Sequence, residues 1–207
     1  MKVSPINTRE YETKMPDYIG GGVWLPENIE WPTNPLGEKL VHVLTISAKS
    51  VTPYMQNFMG SEKEVISIFS SYSDEEYYLD SICYNGDKTE LDDILSGYTQ
   101  VIVYTPTLKK RQESDFSFHT VGISIGDPEN EDGDPEQFSK IGGNPALLQN
   151  EKLNLDHFEF CLQLSPSMLS NKYDDIFYLA DAIGYLYLST NTLLTENRSG
   201  IFFIQVT

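Results

Sequence analysis

Short runs of β-branched, aromatic and aliphatic residues, fenced off by glycine, proline and acidic residues, leave this chain few ways to fold. Residues 40–46, from Leu40 through Ile46, are a continuous apolar stretch fit for a central strand; residues 65–70 are β-branched and bounded by charge. Residues 100–104 and 121–125 are short and clean. In residues 158–164, Phe158, Phe160 and Leu162 alternate onto one side, and residues 184–189 and 200–206 close the series. Aromatics make up 12% of the chain, with 13 Tyr and 10 Phe, and large flat side chains suit a pleated surface. Helix signals are fewer. Thr89 can cap a helix over 89–95, with early acids and Gly97 as its stop. Pro53 can open a short helix over 52–59, and Pro166 another over 165–170. Pro32, Pro35 and Gly37 mark residues 28–39 as loop, and the acidic, Pro-bounded residues 127–136 cannot be strand or helix throughout. The pattern predicts an α+β protein that is mostly β. Its 207 residues suffice for a single compact domain, 1–207, with a core that needs neither disulfide nor metal.

A weak self-similarity narrows this further. Gly20-Gly21-Gly22-Val23-Trp24-Leu25-Pro26 is matched by Gly142-Gly143-Asn144-Pro145-Ala146-Leu147-Leu148, about 120 residues on. Val43-Leu44-Thr45-Ile46-Ser47 then corresponds to Cys161-Leu162-Gln163-Leu164-Ser165, and Ile66-Ser67-Ile68-Phe69-Ser70 to Tyr185-Leu186-Tyr187-Leu188-Ser189. The order agrees in all three pairs. It predicts an internal duplication: two related β-rich halves, 20–110 and 139–207, packed about a pseudo-twofold axis. The glycine pairs permit positive φ and close approach of another backbone before a strand.

The same residues carry a family resemblance. Ser139 through Gln149 resembles the second-half motif of the YwqG-like family, a bacterial domain of unknown function. Gly20 through Pro26, followed by Trp31-Pro32, Gly37 and the strand 40–46, resembles its first-half motif, and Asp181 through Tyr187 its Gly-Asp-x-Gly-x-Leu-Tyr strand entry. The likeness runs from about Gly20 to Val206. Val23 departs from the family's proline, Leu147 from its usual aromatic and Thr45 from its glutamine, which Gln163 keeps in the second half; residues 72–136 fit poorly. The resemblance implies a β-rich fold with a duplicated core. Family members often lie beside polymorphic toxin genes, which implies an immunity protein.

Charge bears on partners. With 31 acidic residues against 14 basic ones the net charge is −17, which repels nucleic acid and anionic membranes and attracts basic proteins. The amino-terminal residues carry no apolar leader, and no stretch approaches the roughly 18 apolar residues of a membrane span, so the expected location is cytoplasmic. Cys83 and Cys161 sit in apolar runs and read as small buried hydrophobes in a reducing compartment. His42 lies inside an apolar strand as a satisfied core residue, His119 on an expected strand, and His157 in a polar segment; their spacing builds no zinc site. The loop 127–136 lacks EF-hand order, with Asp132 at its sixth position and Phe138 at its twelfth. No nucleophile elbow or phosphate loop stands out, so neither a catalytic residue nor a cofactor is expected. The expected function is binding: a cytosolic immunity protein occludes a basic toxin, such as a nuclease or another cytosol-acting effector. Its contacts would be Asp74, Glu75, Glu76 and Tyr77, where acids mix with tyrosine, and Glu129, Glu131, Asp132 and Asp134 in the acidic loop. The alternative is a small-molecule or peptide-binding module with a cleft between the halves, lined by Trp24, Trp31 and nearby tyrosines.

Overall fold

The computed structural model describes residues 1–13, 16–55, 57–58, 60–149, 153, 155–166, 176–179, 181–190 and 199–207. The protein is mostly β. Its strands are β1 (Lys2–Arg9), β2 (Tyr18–Ile19), β3 (Val41–Ser47), β4 (Val65–Ser70), β5 (Thr99–Tyr104), β6 (Val121–Ile125), β7 (Glu129–Asn130), β8 (Lys140–Gly142), β9 (Phe158–Leu164), β10 (Ile183–Ser189) and β11 (Gly200–Gln205). They form one antiparallel sheet in the order β11-β10-β9-β8-β1-β6-β2-β3-β4-β5, with β7 beside β1. The two ends approach each other. Thr99 Oγ1 donates to the Phe202 carbonyl (2.5 Å) and the Ser199 amide to the Val101 carbonyl (3.2 Å), so the sheet is nearly closed.

Strand β1 joins the two flanks. Its first residues pair with β8, Val3 opposite Gly142 and Pro5 opposite Lys140; its last pair with β6, Ile6 opposite Ile125 and Arg9 opposite Gly122. Pro5 sits at the switch. It has no N–H to give to a ladder, so a change of partner there leaves no orphan donor.

Each flank repeats one pairing scheme. Tyr18 and Ile19 stand opposite Thr45 and Leu44; Lys140 and Ile141 stand opposite Gln163 and Leu162. Thr45 then faces Ser67, and Gln163 faces Tyr185. Both long hairpins skip one residue at the corresponding place, Val43 in β3 and Cys161 in β9. The register corrects the sequence correspondence in one strand: Tyr185 matches Ser67, not Ile66. Gly20, Gly21, Gly142 and Gly143 all have φ between 67° and 75°. A Cβ on Gly20 would meet the His119 carbonyl oxygen at 2.5 Å, and one on Gly142 the Lys2 carbonyl oxygen at 2.5 Å.

Alternation sorts the side chains into two layers. Ile66 and Ile68 of β4 join the large core with Leu44, Ile46, Leu162 and Leu186. Val65 and Phe69 point the other way, into a smaller cluster with Val23, Leu25, Trp31 and Leu40.

The helices are short, and two expectations are corrected. The helix expected over 52–59 is instead α1 (Ala48–Val51), capped by Ser47, whose hydroxyl accepts from the Ser50 amide. Pro53 follows the helix and stops it, because it lacks the next N–H. After α2 (Leu79–Ile82), α3 (Lys88–Asp93) is capped by Asp87, not Thr89, and a wide turn over Ile94–Tyr98 ends it through Gly97 at φ 120°. His119 lies outside any strand. The helix expected over 165–170 falls mostly outside the described residues.

Candidate functional site

Residues 71–78 follow the end of β4 and run along a groove of about 560 Å³. Asp74 and Glu75 line it, joined by Glu38, Asp115, Tyr72 and Phe116. Ser73 Oγ accepts from the amides of Glu75 and Glu76 (both 3.1 Å), which fixes the turn that presents the acids. Tyr72 stacks on Tyr178 at 4.9 Å and meets Phe116 at 4.6 Å, giving the groove an aromatic wall. Tyr77 is 61% exposed and rests edge-on against Tyr178.

Glu76 does not stand free. The Tyr78 hydroxyl lies 2.6 Å from Glu38 Oε2 and 2.7 Å from Glu76 Oε2. A phenol has one proton, so only one of these carboxylates receives it at any moment. That hydrogen bond, with a second from Asn34, holds the Glu38 carboxyl below its usual range, and the two carboxylates push the Tyr78 phenol well above its own. The pair is therefore short of donors and accommodates an incoming ammonium or guanidinium.

The second acidic segment divides. Glu129 sits on β7, paired with Val3, and is exposed, as are Asp132 and Asp134. Glu131 differs from them. Its carboxylate accepts from Lys140 Nζ at 2.6 Å and from the Asn144 amide at 2.6 Å, with side-chain exposures of 0% for Lys140 and 8% for Glu131. Burial works against its charge, but Lys140 and Asn144 outweigh burial and hold its carboxyl below the usual range. It anchors the Gly142-Gly143 turn from within the fold, with its carboxylate oxygens engaged by Lys140 and Asn144. Among the described residues no hydrogen bond or ion pair links 74–77 with 127–136.

A buried polar chain crosses the outer face of the first flank. His42 Nδ1 lies 3.2 and 3.1 Å from the carbonyls of Gly20 and Gly21, which only accept, so the ring carries its proton there. Burial drives its pKa down to about 4, so the ring is neutral and Nε2 accepts from Thr45 Oγ1 at 2.8 Å. Ser67 then donates to Thr45 (2.7 Å) and Tyr104 to Ser67 (2.8 Å). Above Thr45 opens a cavity of about 240 Å³ walled by Pro16, Tyr18, Trp24, Val65, Pro106, Thr107 and Leu108. Lys110 lies over the rings of Tyr11 and Tyr18 at 4.7 Å and Trp24 at 5.7 Å, bracing two of those walls. Trp31 does not share this cavity. It is 4% exposed, packs on Phe69 and donates to the Leu40 carbonyl. Nor does the cavity lie between the halves, as the ligand-module alternative expects: it is built from the first flank and the chain that covers it.

Glu38 and Asp115 escaped the sequence reading because the groove brings them to residues 71–78 from two separate loops. The one available signal was the Tyr77-Tyr78 doublet beside the acids. Burial pushes the Cys83 thiol up to about 12 and the Cys161 thiol higher still, so neither is a reactive thiolate. Among the described residues no helix is long and apolar enough to cross a membrane. No family model matches the chain, and no curated protein matches it.

Proposed function

We propose that the protein works by binding, seating a basic segment of a protein toxin in the groove between residues 34–41 and 71–78 as a cytosolic immunity protein. The observation that carries this reading is the single Tyr78 proton between Glu38 and Glu76, at the rim of a groove that also holds Asp74, Glu75 and Asp115. A lysine or arginine supplies the donors this cluster lacks, and the Tyr72 and Phe116 rings give its alkyl stem a wall. The net charge of −17 adds long-range attraction and disfavours nucleic acid and anionic membranes as partners. Resemblance to the YwqG-like family supplies the toxin context. A duplicated ancestry of the two flanks belongs to the same reading, supported by their shared register, glycine turns and skipped residue.

The test is co-expression with the neighbouring gene's product, scoring rescue of growth and recovery of a stable complex. The combined variant Glu38→Gln, Asp74→Asn, Glu75→Gln should bind at least about 10-fold more weakly, mainly through slower association, and lose much of its salt dependence. Unchanged affinity in that variant removes this reading.

A further inference from the structure

The two flanks treat the same location on their sheets differently. In the second, Gln163 spans the space between the sheet and the covering chain. Its carboxamide oxygen accepts from the Ala146 amide (2.8 Å), and its nitrogen donates to the carbonyls of Phe138 (2.8 Å) and Glu136 (3.0 Å). Tyr185 adds a bond from its hydroxyl to the Ala146 carbonyl (2.7 Å), and Gln205 accepts from the Leu148 amide (2.9 Å). The covering chain is thereby bonded to the sheet, and the space is full.

By register, Thr45 holds the place of Gln163, Ser67 that of Tyr185 and Tyr104 that of Gln205. Counting along from the glycine pairs, Trp24 matches Ala146 and Pro16 matches Phe138. The threonine hydroxyl is too short to reach the covering chain and turns into the His42–Tyr104 chain instead. The cavity of about 240 Å³ stands where the glutamine side chain would lie. Residues matching two of the three that Gln163 bonds in the other flank line this cavity. Trp24 and the exposed Pro16 both line it, and neither the Trp24 amide nor the Pro16 carbonyl has a hydrogen-bond partner among the described residues.

We propose that this cavity binds a small molecule bearing a primary carboxamide on a compact apolar ring. The amide oxygen accepts from the Trp24 N–H and the amide nitrogen donates to the Pro16 carbonyl, reproducing from outside what Gln163 does from within. The ring occupies the remaining space against Tyr18, Val65, Pro106 and Leu108. Such a guest bonds one donor and one acceptor while its ring fills an apolar cavity. The site is separate from the acidic groove and does not rest on the toxin-binding reading.

Benzamide and acetophenone decide the matter, because they share ring and carbonyl and differ only in NH₂ against CH₃. Amide and indole resonances of the full chain are followed in ¹H–¹⁵N spectra during each titration. Benzamide should give saturable shifts at Trp24, Thr45 and Leu108, and acetophenone should bind at least about 10-fold more weakly. Thr45→Gln supplies a tethered carboxamide; it should abolish the benzamide response and raise the thermal midpoint. Equal binding of the two probes overturns the carboxamide assignment. Shifts absent from Trp24 and Thr45, or benzamide binding unchanged in folded Thr45→Gln, overturn the site itself. The probe comparison uses the unaltered protein, so it decides even where Thr45→Gln fails to fold. Shifts confined to 72–78 would implicate the groove instead and leave its own test untouched.

Discussion

Two buried ionisable residues show how far a side chain's role depends on what surrounds it. Lys140 has no exposed surface and, among the described residues, a single anionic partner, Glu131. Removing the carboxylate leaves an ammonium in the interior, so Glu131→Ala should lower unfolding stability by about 3–5 kcal/mol in urea titrations. The pair replacement Glu131→Gln with Lys140→Met should recover much of that loss; equal loss in both variants would refute the assignment. His42 bears on pH. Its folded pKa of about 4 lies below the ordinary value of 6.5, so between these limits the unfolded chain takes up a proton that the native ring refuses. Stability conferred by His42 is thus whole above pH 6.5 and drains as pH falls. Relative to His42→Gln, which does not titrate, the wild type should lose about 1.4 kcal/mol per pH unit from 6.5 to 4.5. A constant offset over that range would show that the ring titrates freely in the fold.

At the level of elements, the glycine turns that open each flank are set by steric contact with a neighbouring backbone. Gly20→Ala and Gly142→Ala each combine an unfavourable positive φ with a Cβ at 2.5 Å from a carbonyl oxygen, and should each cost about 2 kcal/mol or more. Gly37, at φ 86° with open space around it, supplies the control: Gly37→Ala carries only the backbone strain, about 1–2 kcal/mol. Equal losses at Gly20 and Gly37 by denaturant titration would mean that the turn yields to the clash. The long strands were legible because β-branched and aromatic runs announce themselves; β4, β6 and β9 begin and end where those runs do. Strands β1, β2 and β8 were not. Pro5 argues against a strand, two-residue β2 is too short to show alternation, and β8 begins with a lysine whose burial depends on an acid nine positions away. The Ser47 and Asp87 caps were missed because proline and threonine nearby offered equally good local starts.

On the scale of the molecule, the sequence conveyed the sign of the charge but not its sorting. Glu131 looks like any member of an acidic run, and only folding separates it from Asp132 and Asp134. The candidate contacts Asp74 and Glu75 were visible as an acid–tyrosine cluster; Glu38 and Asp115 become their neighbours solely through tertiary structure. The cavity above Thr45 was hidden for a similar reason. Its existence depends on a glutamine that is present in one flank and missing from the other, and that difference acquires meaning once the register is known.

Strand β1 also has a consequence for how the protein comes off the ribosome. Residues 6–9 cannot find a partner until residues 122–125 have emerged, and residues 3–5 must wait for 140–142. Strand β1 is therefore a seam that only a later-made part of the chain can close. Loop closure over such separations is slow, and the nascent β2–β5 segment spends that interval with an unprotected margin on its β2 side. Slower synthesis of residues 122–142 lengthens that exposure and should raise the aggregated share of newly made chain.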